Sequence, residues 1–264
     1  MKHRWTIALL MMLVFSFGGW AQDVSFPYPE IPTSLTGDKE RLAYVLEHFW
    51  NSYDFSDASQ TNQKVGEQGF VDYINLMAYA DSMTCVQSAK LFADKLASSG
   101  QAFLRFEELA HNYLENSLSP LRNDTVFMHL LRAFPSSPQR LFLIQQLSLN
   151  QPGTRAADVS FVDASGNSQH LYDIQCPYTL LVFFDPECEH CQEQMPQIRN
   201  ASELHKNTSR LKVVYIDTNL NPDVLKRYHL PVLPSLYLLD EQKRIVVKDG
   251  TLQQIISRIN ALLP

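Results

Sequence analysis

The chain has 264 residues, with 28 Asp and Glu against 22 Lys and Arg and a formal net charge of −6. An acidic chain without a run of Lys or Arg is a poor binder of nucleic acid, so we predict no nucleic-acid partner. Four cysteines are too few to build a disulfide scaffold in so long a chain, which excludes the class of small disulfide-rich secreted proteins.

The first 21 residues have the pattern of a signal peptide for export. Met-Lys-His-Arg precedes the apolar run Ile7 to Phe17, and Gly19-Trp20-Ala21 forms a small–x–small cleavage site. Cleavage after Ala21 would remove Lys2 and Arg4 and leave 243 residues with a net charge of −8. A retained anchor is the alternative, although a spanning helix needs about 20 apolar residues and this segment is shorter. The pattern predicts a periplasmic protein.

Residues 22–150 are predicted to form a mostly α-helical domain of unknown function. After a proline-rich leader, apolar residues recur at three- and four-residue spacing, which indicates amphipathic helices. The sequence of this region contains no repeat of fixed period, no glycine-rich phosphate loop and no metal-binding cluster of His and Cys. The segments with the helical pattern are Leu42–Trp50, Phe70–Met77, Val86–Leu96, Phe103–Leu114, Asp124–Ala133 and Pro138–Leu147.

From residue 151 onward the pattern predicts an α/β domain that extends to residue 264. Two continuous apolar runs, Thr179–Phe184 and Leu211–Ile216, are typical of buried central strands. The order of strands and helices predicts a small sheet with helices on both faces. The other predicted elements are a hairpin of Ala157–Val162 and Gln169–Tyr172 around a turn at 163–167, a helix over Cys191–Leu204, a short helix over Pro222–Tyr228, strands over Ser235–Leu239 and Arg244–Val247, and a closing helix over Thr251–Leu263.

The sequence Cys188-Glu-His-Cys191 lies where a buried strand ends and a helix begins. A cysteine at a helix N-terminus faces unpaired backbone N–H groups and the positive end of the helix dipole, which favour the thiolate. We therefore expect Cys188 to be the exposed nucleophile and Cys191 to resolve a mixed disulfide. The pair needs no metal or organic cofactor to transfer two electrons. A permanent structural disulfide is one alternative, and half of a zinc site is another, but zinc would need a second pair of ligands.

The two residues inside the motif act in opposite directions. His190, when protonated, stabilises a neighbouring thiolate and makes the disulfide more oxidising, whereas Glu189 adds negative charge beside it. The alternative for His190 is an exposed helix residue without a redox role.

Residues 151–264 resemble the thioredoxin-like superfamily, especially its exported TlpA/ResA-like branch. The resemblance lies in the strand Leu180–Phe184, the motif Cys188–Cys191, the pair Met195-Pro196 and the segment Leu233-Pro234-Ser235. It implies a thioredoxin fold and thiol–disulfide oxidoreductase activity. It also implies a cis peptide bond between Leu233 and Pro234, which lies against the two cysteines and exposes the backbone of Leu233 to a substrate chain.

The chain departs from the family at the groups that usually carry protons. Val182 stands where many thioredoxins have a buried acid, and Gln194 stands where the TlpA/ResA-like branch has Glu. Proton transfer to and from Cys191 therefore lacks its usual group, and Glu193, His190 or water must serve. A solvated acid in the first turn of the helix is the alternative for Glu193.

Residues 24–147 resemble an uncharacterised helical domain that precedes thioredoxin modules in exported proteins of the Bacteroidetes type. The likeness lies in the segments Phe49–Asp57, Glu67–Tyr73 and Tyr113–Pro120, and it implies no activity. We predict that the aromatic residues of the first segment belong to the helical core, with a partner-binding surface as the alternative. Cys85 and Cys176 are predicted to be small buried residues, and a bridge between them is left open.

The resulting hypothesis is a thiol–disulfide oxidoreductase that acts on disulfides of exported proteins and is recycled by a membrane or periplasmic redox partner. The sequence does not fix the direction of the reaction. Glu187, where a tryptophan commonly precedes the first cysteine, and Gln194 motivate an alternative, in which the helical domain binds an envelope partner and the thioredoxin fold is a scaffold. A third hypothesis makes the helical domain a dimerisation element.

Overall fold

The computed structural model describes residues 25–116, 118–162, 168–206 and 208–263. The predicted signal peptide therefore lies outside the described residues. Residues 25–150, called the helical half below, contain six α-helices, and a π-helical turn at His111–Glu115 follows the fourth of them. These helices are α1 Asp38–His48, α2 Gln60–Met77, α3 Ser82–Leu96, α4 Gly100–Ala110, α5 Asp124–Ala133 and α6 Pro138–Leu147. All six predicted helical segments are confirmed.

Side chains that cap the N-terminus determine where most of these helices begin. The hydroxyl or carboxylate oxygen of the residue before α2, α3, α4 and α6 accepts a backbone N–H of the first turn, as does the amide oxygen before α5. The capping residues are Ser59, Asp81, Ser99, Asn123 and Ser137.

The core of the helical half is rich in stacked and edge-on aromatic rings. Trp50 packs against Phe92 with ring centroids 4.6 Å apart, and Phe92 meets Phe106 edge-on at 5.3 Å. Phe49 and Trp50 are buried, and Tyr53 and Phe55 are partly buried against the same cluster. The predicted helical core is therefore confirmed for these four aromatic residues, and the alternative of an exposed binding surface is wrong.

Residues 151–263, called the sheet half below, contain a two-stranded hairpin and a four-stranded mixed sheet. The strands are β1 Ser160–Val162, β2 Ser168–His170, β3 Tyr178–Phe184, β4 Leu211–Asp217, β5 Ser235–Asp240 and β6 Ile245–Gly250. The helices are α7 Glu189–Asn200, α8 Ser202–His205, α9 Val224–Arg227 and α10 Leu252–Leu262, and a 3₁₀ turn at Leu171–Asp173 follows β2. β1 and β2 pair antiparallel as predicted, and their connecting turn lies outside the described residues.

The four-stranded sheet has the order β4-β3-β5-β6, with β3 parallel to β4 and antiparallel to β5. Successive residues of β3 face opposite sides, so Leu180 and Val182 pack beneath α7 and α10, while Leu181 and Phe183 pack beneath the hairpin and α9. This arrangement confirms the predicted small sheet with helices on both faces.

Several element boundaries differ from the prediction; the hairpin strands, for example, cover only Ser160–Val162 and Ser168–His170. The single helix expected over Cys191–Leu204 is two helices, because Ala201 has an extended backbone (φ −64°, ψ 107°) and separates α7 from α8. The strand expected over Arg244–Val247 begins one residue later and continues to Gly250, past an irregularity in its pairing with β5.

The two halves are joined by a segment that pairs with the edge of the sheet. Gly153 N–H donates to the carbonyl of Ile245 at 2.8 Å, and Ile245 N–H donates to the carbonyl of Thr154 at 2.8 Å. The buried side chain of Asn150 donates to the carbonyl of Arg227 and accepts from the N–H of Ala157. Residues 150–154 are thus fixed to the sheet half by hydrogen bonds.

Candidate redox site

The two cysteines of the motif lie at the start of α7, directly after β3. Cys188 is the N-cap of the helix, and its Sγ accepts the backbone N–H of Cys191 at 3.4 Å. The N–H of Cys188 donates to the carbonyl of Asp185 at 3.2 Å, which closes the turn between strand and helix. The Cys188 sulfur therefore occupies the position where a helix offers unpaired N–H groups.

The two sulfurs differ in exposure. Cys188 is half-buried, whereas Cys191 is only 1% exposed and belongs to the core beneath α7 and α10. Burial raises the pKa of the Cys191 thiol to about 11, and the nearby Cys188 and the charge of Asp185 act in the same direction, while a backbone hydrogen bond at Asp185 opposes them. Cys191 is therefore a protonated thiol at neutral pH, and Cys188 is the sulfur that a substrate can reach.

The peptide bond between Leu233 and Pro234 is cis, as the resemblance implied. The register of the sheet places Ser235 opposite Phe183, so Leu233 and Pro234 lie just beyond this pair, at the same end of the sheet as the cysteines. Both residues are half-exposed, and Leu233 packs against the core that contains Cys191. The structure thus brings Cys188, Cys191, Leu233 and Pro234 to one end of the sheet half.

The other two predicted site residues face solvent. His190 and Glu193 are exposed on α7, and neither is among the groups that shift the pKa of Cys191. Gln194, which replaces the usual Glu, is half-buried. The proposed roles of His190 and Glu193 remain predictions.

Asp185 is the site residue that the sequence reasoning missed. Its Oδ1 accepts the N–H of Glu187 at 2.8 Å and the side-chain amide of Asn219 at 2.9 Å. Asp185 is the acid whose charge acts on the buried Cys191. The available signal was its position, because an acid that ends a buried strand three residues before Cys188 must lie beside the start of the helix.

The remaining cysteines lie outside this site. Cys85 is buried in the helical half, where its thiol donates to the carbonyl of Met77 at 3.2 Å and burial raises its pKa. Cys176 is half-exposed in the sheet half, so the prediction that it is buried is wrong. Both cysteines are free, and the bridge that the sequence left open is not formed.

Within the described residues, no three His, Cys, Asp or Glu side chains are grouped so that they could hold a metal ion. Nor does any helix in those ranges combine the length and the apolar character needed to cross a membrane.

The fold and the site together define a protein of the thioredoxin class: a central mixed sheet, a Cys-x-x-Cys pair at a helix start and a cis-proline beside it. The family model for thioredoxin matches residues 166–261, and the model for a domain of unknown function (DUF5106) matches residues 6–150. The chain therefore belongs to the DUF5106 family and carries a thioredoxin domain after the DUF5106 domain.

One solved structure shares the fold over most of the chain. A crystal structure of a thioredoxin-like protein from Bacteroides caccae is 23% identical, covers 89% of this chain and 98% of its own, and has a TM-score of 0.75, which shows a common fold. A domain of a possible thiol-disulfide isomerase from Cytophaga hutchinsonii is 23% identical over 44% of this chain and 97% of its own, with a TM-score of 0.36.

The thioredoxin domain of a thiol-disulfide oxidoreductase from Bacteroides vulgatus is 19% identical over 43% of this chain and 99% of its own, with a TM-score of 0.34. A search of curated proteins finds no match to this chain.

Proposed function

We propose that this protein is a thiol–disulfide oxidoreductase that acts on disulfides of exported proteins through Cys188 and Cys191. The observation that carries the proposal is the asymmetry of the pair: Cys188 is accessible and caps α7, while Cys191 is buried directly behind it. Two sulfurs that differ in this way can divide the reaction into attack and resolution.

The reaction begins when the Cys188 thiolate attacks one sulfur of a substrate disulfide. The substrate S–S bond breaks, a mixed disulfide forms with Cys188, and the other substrate sulfur leaves as a thiolate. Cys191 then gives up its proton and attacks the Cys188 sulfur, which releases the second substrate thiolate. The substrate is reduced by two electrons and the Cys188–Cys191 pair is oxidised to a disulfide.

The cis-proline segment, Leu233-Pro234-Ser235, supplies the surface for the substrate chain. Leu233 and Pro234 are half-exposed just beyond the pair of Ser235 with Phe183, so a substrate strand can pair with the backbone of Leu233 while its disulfide faces Cys188. The thioredoxin-like and oxidoreductase descriptions of the solved relatives favour the same chemistry. We propose a periplasmic location and a membrane or periplasmic redox partner that returns the pair to its starting state.

The proposal is tested with Cys188→Ser, which removes the nucleophile. We expect loss of exchange with a disulfide substrate such as insulin, whereas Cys176→Ser, at a half-exposed free cysteine of the same half, retains it. Full exchange by the Cys188→Ser variant would refute the enzyme. Partner capture that is insensitive to Cys188→Ser but lost on deletion of residues 22–150 would instead favour the binding module.

The direction of the reaction follows from thiol trapping of the pair across a series of glutathione and dithiothreitol ratios. A midpoint near about −270 mV indicates a reductant, and one above about −180 mV indicates an oxidant or isomerase. A pair that stays oxidised in every buffer the native protein survives is a structural disulfide, which would exclude the redox function.

A further inference from the structure

The edge strand β6 contains a β-bulge that turns two charged residues toward the helical half. Between two cross-strand pairs, Leu236–Gly250 and Leu238–Val247, β5 advances by two residues and β6 by three. Lys248 and Asp249 of β6 therefore lie opposite the single residue Tyr237 of β5. Asp249 has a positive φ of 46°. A bulge of this kind changes the direction of the side chains that it carries.

Four charged side chains meet at this bulge, two from each half. Arg122 Nη1 lies 2.5 Å from Asp249 Oδ2, and Lys248 Nζ lies 2.9 Å from Asp124 Oδ2. Lys248 Nζ also donates to the carbonyl of Leu147 at 2.7 Å. The side chains are between 4% and 16% exposed, so the cluster is nearly closed to water.

Each half contributes one cation and one anion, and the two shortest ion pairs of the cluster, Arg122–Asp249 and Lys248–Asp124, join one half to the other. The pair within the helical half is longer, with Arg122 Nε 3.7 Å from Asp124 Oδ1. Arg122 and Asp124 belong to the helical half, and Lys248 and Asp249 to the sheet half. Because a buried charge without its partner is strongly unfavourable, a shifted arrangement of the halves would be penalised. The charges therefore specify how the halves are oriented.

The same cluster reaches the segment that contains the cis-proline. Ser235, which directly follows Pro234, is fully buried, and its Oγ donates to Asp249 Oδ1 at 2.5 Å. Asp249 thus binds Arg122 with one carboxylate oxygen and the first residue of β5 with the other. A continuous path of contacts runs from the helical half to the residue beside Pro234.

His229, in the loop between α9 and Pro234, lies near the same cluster. The backbone carbonyl of His229 accepts the hydroxyl of Tyr237 at 2.7 Å, and the buried Nε2 of His229 has no hydrogen-bond partner among the described residues. Burial and then the charges of Lys248 and Arg122 lower the pKa of His229, while Asp124 and Asp249 oppose them. His229 therefore lies within range of all four charges.

We propose that the helical half holds the cis-proline segment in position, with Arg122 acting as a positioning residue through Asp249 and Ser235. This inference rests on the proposed function, because it assigns a role to the cis-proline segment in binding a substrate chain. The DUF5106 domain is then a part of the substrate site rather than a separate module. Its contribution lies in holding Leu233 and Pro234 in place, not in the chemistry of the sulfurs.

The test compares two variants of the full chain that each remove one buried cation from the cluster. Arg122→Met breaks the contact with the carboxylate that holds Ser235. Lys248→Met, the matched control, breaks the pair with Asp124 and does not touch Ser235. We expect both variants to lower the Tm, whereas only Arg122→Met raises the apparent KM for insulin several-fold and speeds amide hydrogen exchange at Ser235 and Leu236.

Two further measurements separate positioning from general damage. Ser235→Ala leaves the four charges intact and should reproduce the rise in KM that is expected for Arg122→Met. The double variant Arg122→Met/Ser235→Ala should show no additional rise in KM. The rate at which iodoacetamide alkylates Cys188 should stay unchanged in Arg122→Met and in Ser235→Ala, because this small reagent does not bind to the cis-proline segment. Arg122→Lys, which retains the positive charge, should restore part of the affinity.

The inference is overturned if Arg122→Met changes neither the KM for insulin nor the rate of amide hydrogen exchange at Ser235. It is also overturned if Lys248→Met raises KM as much as Arg122→Met does. A wild-type protein without exchange activity on insulin would count against the proposed function instead. In that case the rate of amide hydrogen exchange at Ser235 still decides whether Arg122 holds the cis-proline segment in place, since that measurement needs no substrate.

Discussion

The helical half and the sheet half are stabilised by different kinds of core. The helical half packs aromatic rings from several helices into one cluster around Trp50 and Phe92. The sheet half has two separate clusters of mostly aliphatic side chains, one on each face of the sheet. Cys191 belongs to one of these clusters, so its burial and high pKa are consequences of the packing itself.

The two halves also differ in how they use their buried polar and sulfur-containing side chains. In the helical half, Tyr73 and Ser88 are buried polar residues that hold the core together: their hydroxyls share a hydrogen bond of 2.8 Å, and Ser88 donates to the carbonyl of Leu46. In the sheet half, one sulfur is half-exposed at a helix start and a second lies buried behind it. We therefore expect core variants of the two halves to affect stability and reactivity differently.

The largest effect is expected for Phe92→Ala in the helical half. Phe92 is fully buried and contacts the rings of Trp50, Tyr73 and Phe106, so its truncation should lower the free energy of unfolding by about 3–5 kcal/mol. The alkylation rate of Cys188 per folded molecule should not change. Circular dichroism in urea and a timed alkylation assay measure the two quantities.

Phe183→Ala is the counterpart in the sheet half. Phe183 is equally buried, but it pairs with Ser235 and lies two residues before Asp185. We expect a similar loss of stability together with a changed rate at Cys188. If Phe92→Ala altered the rate as much as Phe183→Ala, the separation of stability and chemistry between the two halves would be wrong.

Much of the site could be predicted because it follows from local sequence. An apolar run ends at Phe184, and two cysteines separated by two residues follow it. This pattern indicates a strand-to-helix junction, and the structure has Cys188 at that position. The proline in Leu233-Pro234-Ser235 was identified through the family pattern, and its cis bond is confirmed.

The parts that could not be predicted depend on the register between distant strands. Nothing in the local pattern of Lys248 and Asp249 indicates that β6 bulges, since the bulge exists only relative to β5. The contact of Asp249 with Arg122 also joins residues from different halves of the chain. Asp185 is a different case, because its position three residues before Cys188 was available from the sequence and only its partner Asn219 is brought in by the loop after β4.

A smaller effect is expected at Gly69, which lies within α2 of the helical half. A Cβ at this position would overlap the ring of Phe26, whereas a Cβ at Gly100, at the start of α4, would meet no neighbouring atom. Gly69→Ala should destabilise the protein by about 1–3 kcal/mol because the aromatic core is overpacked. Gly100→Ala should be neutral or stabilising by up to about 1 kcal/mol. A larger loss for Gly100→Ala than for Gly69→Ala would contradict this packing.

The smallest effect concerns the acid beside the buried sulfur of the sheet half. The negative charge of Asp185 contributes to the raised pKa of Cys191, so Asp185→Asn should lower that pKa and increase the thiolate fraction at any pH below it. The asparagine retains an oxygen that can accept the N–H of Glu187 and the amide of Asn219. The pH profile of Cys191 alkylation in a Cys188→Ser background, followed by mass spectrometry of the Cys191 peptide, measures the shift.

Glu193→Gln is the matched control, because it removes an exposed acid of α7 that is not among the groups that shift the pKa of Cys191. We expect the alkylation profile of Cys191 to move to lower pH in Asp185→Asn and to stay in place in Glu193→Gln. If only Glu193→Gln moved it, Glu193 would be the acid that controls the resolving sulfur. The chemistry would then depend on the exposed face of α7, and the packing at the end of β3 would matter only for holding the two sulfurs in place.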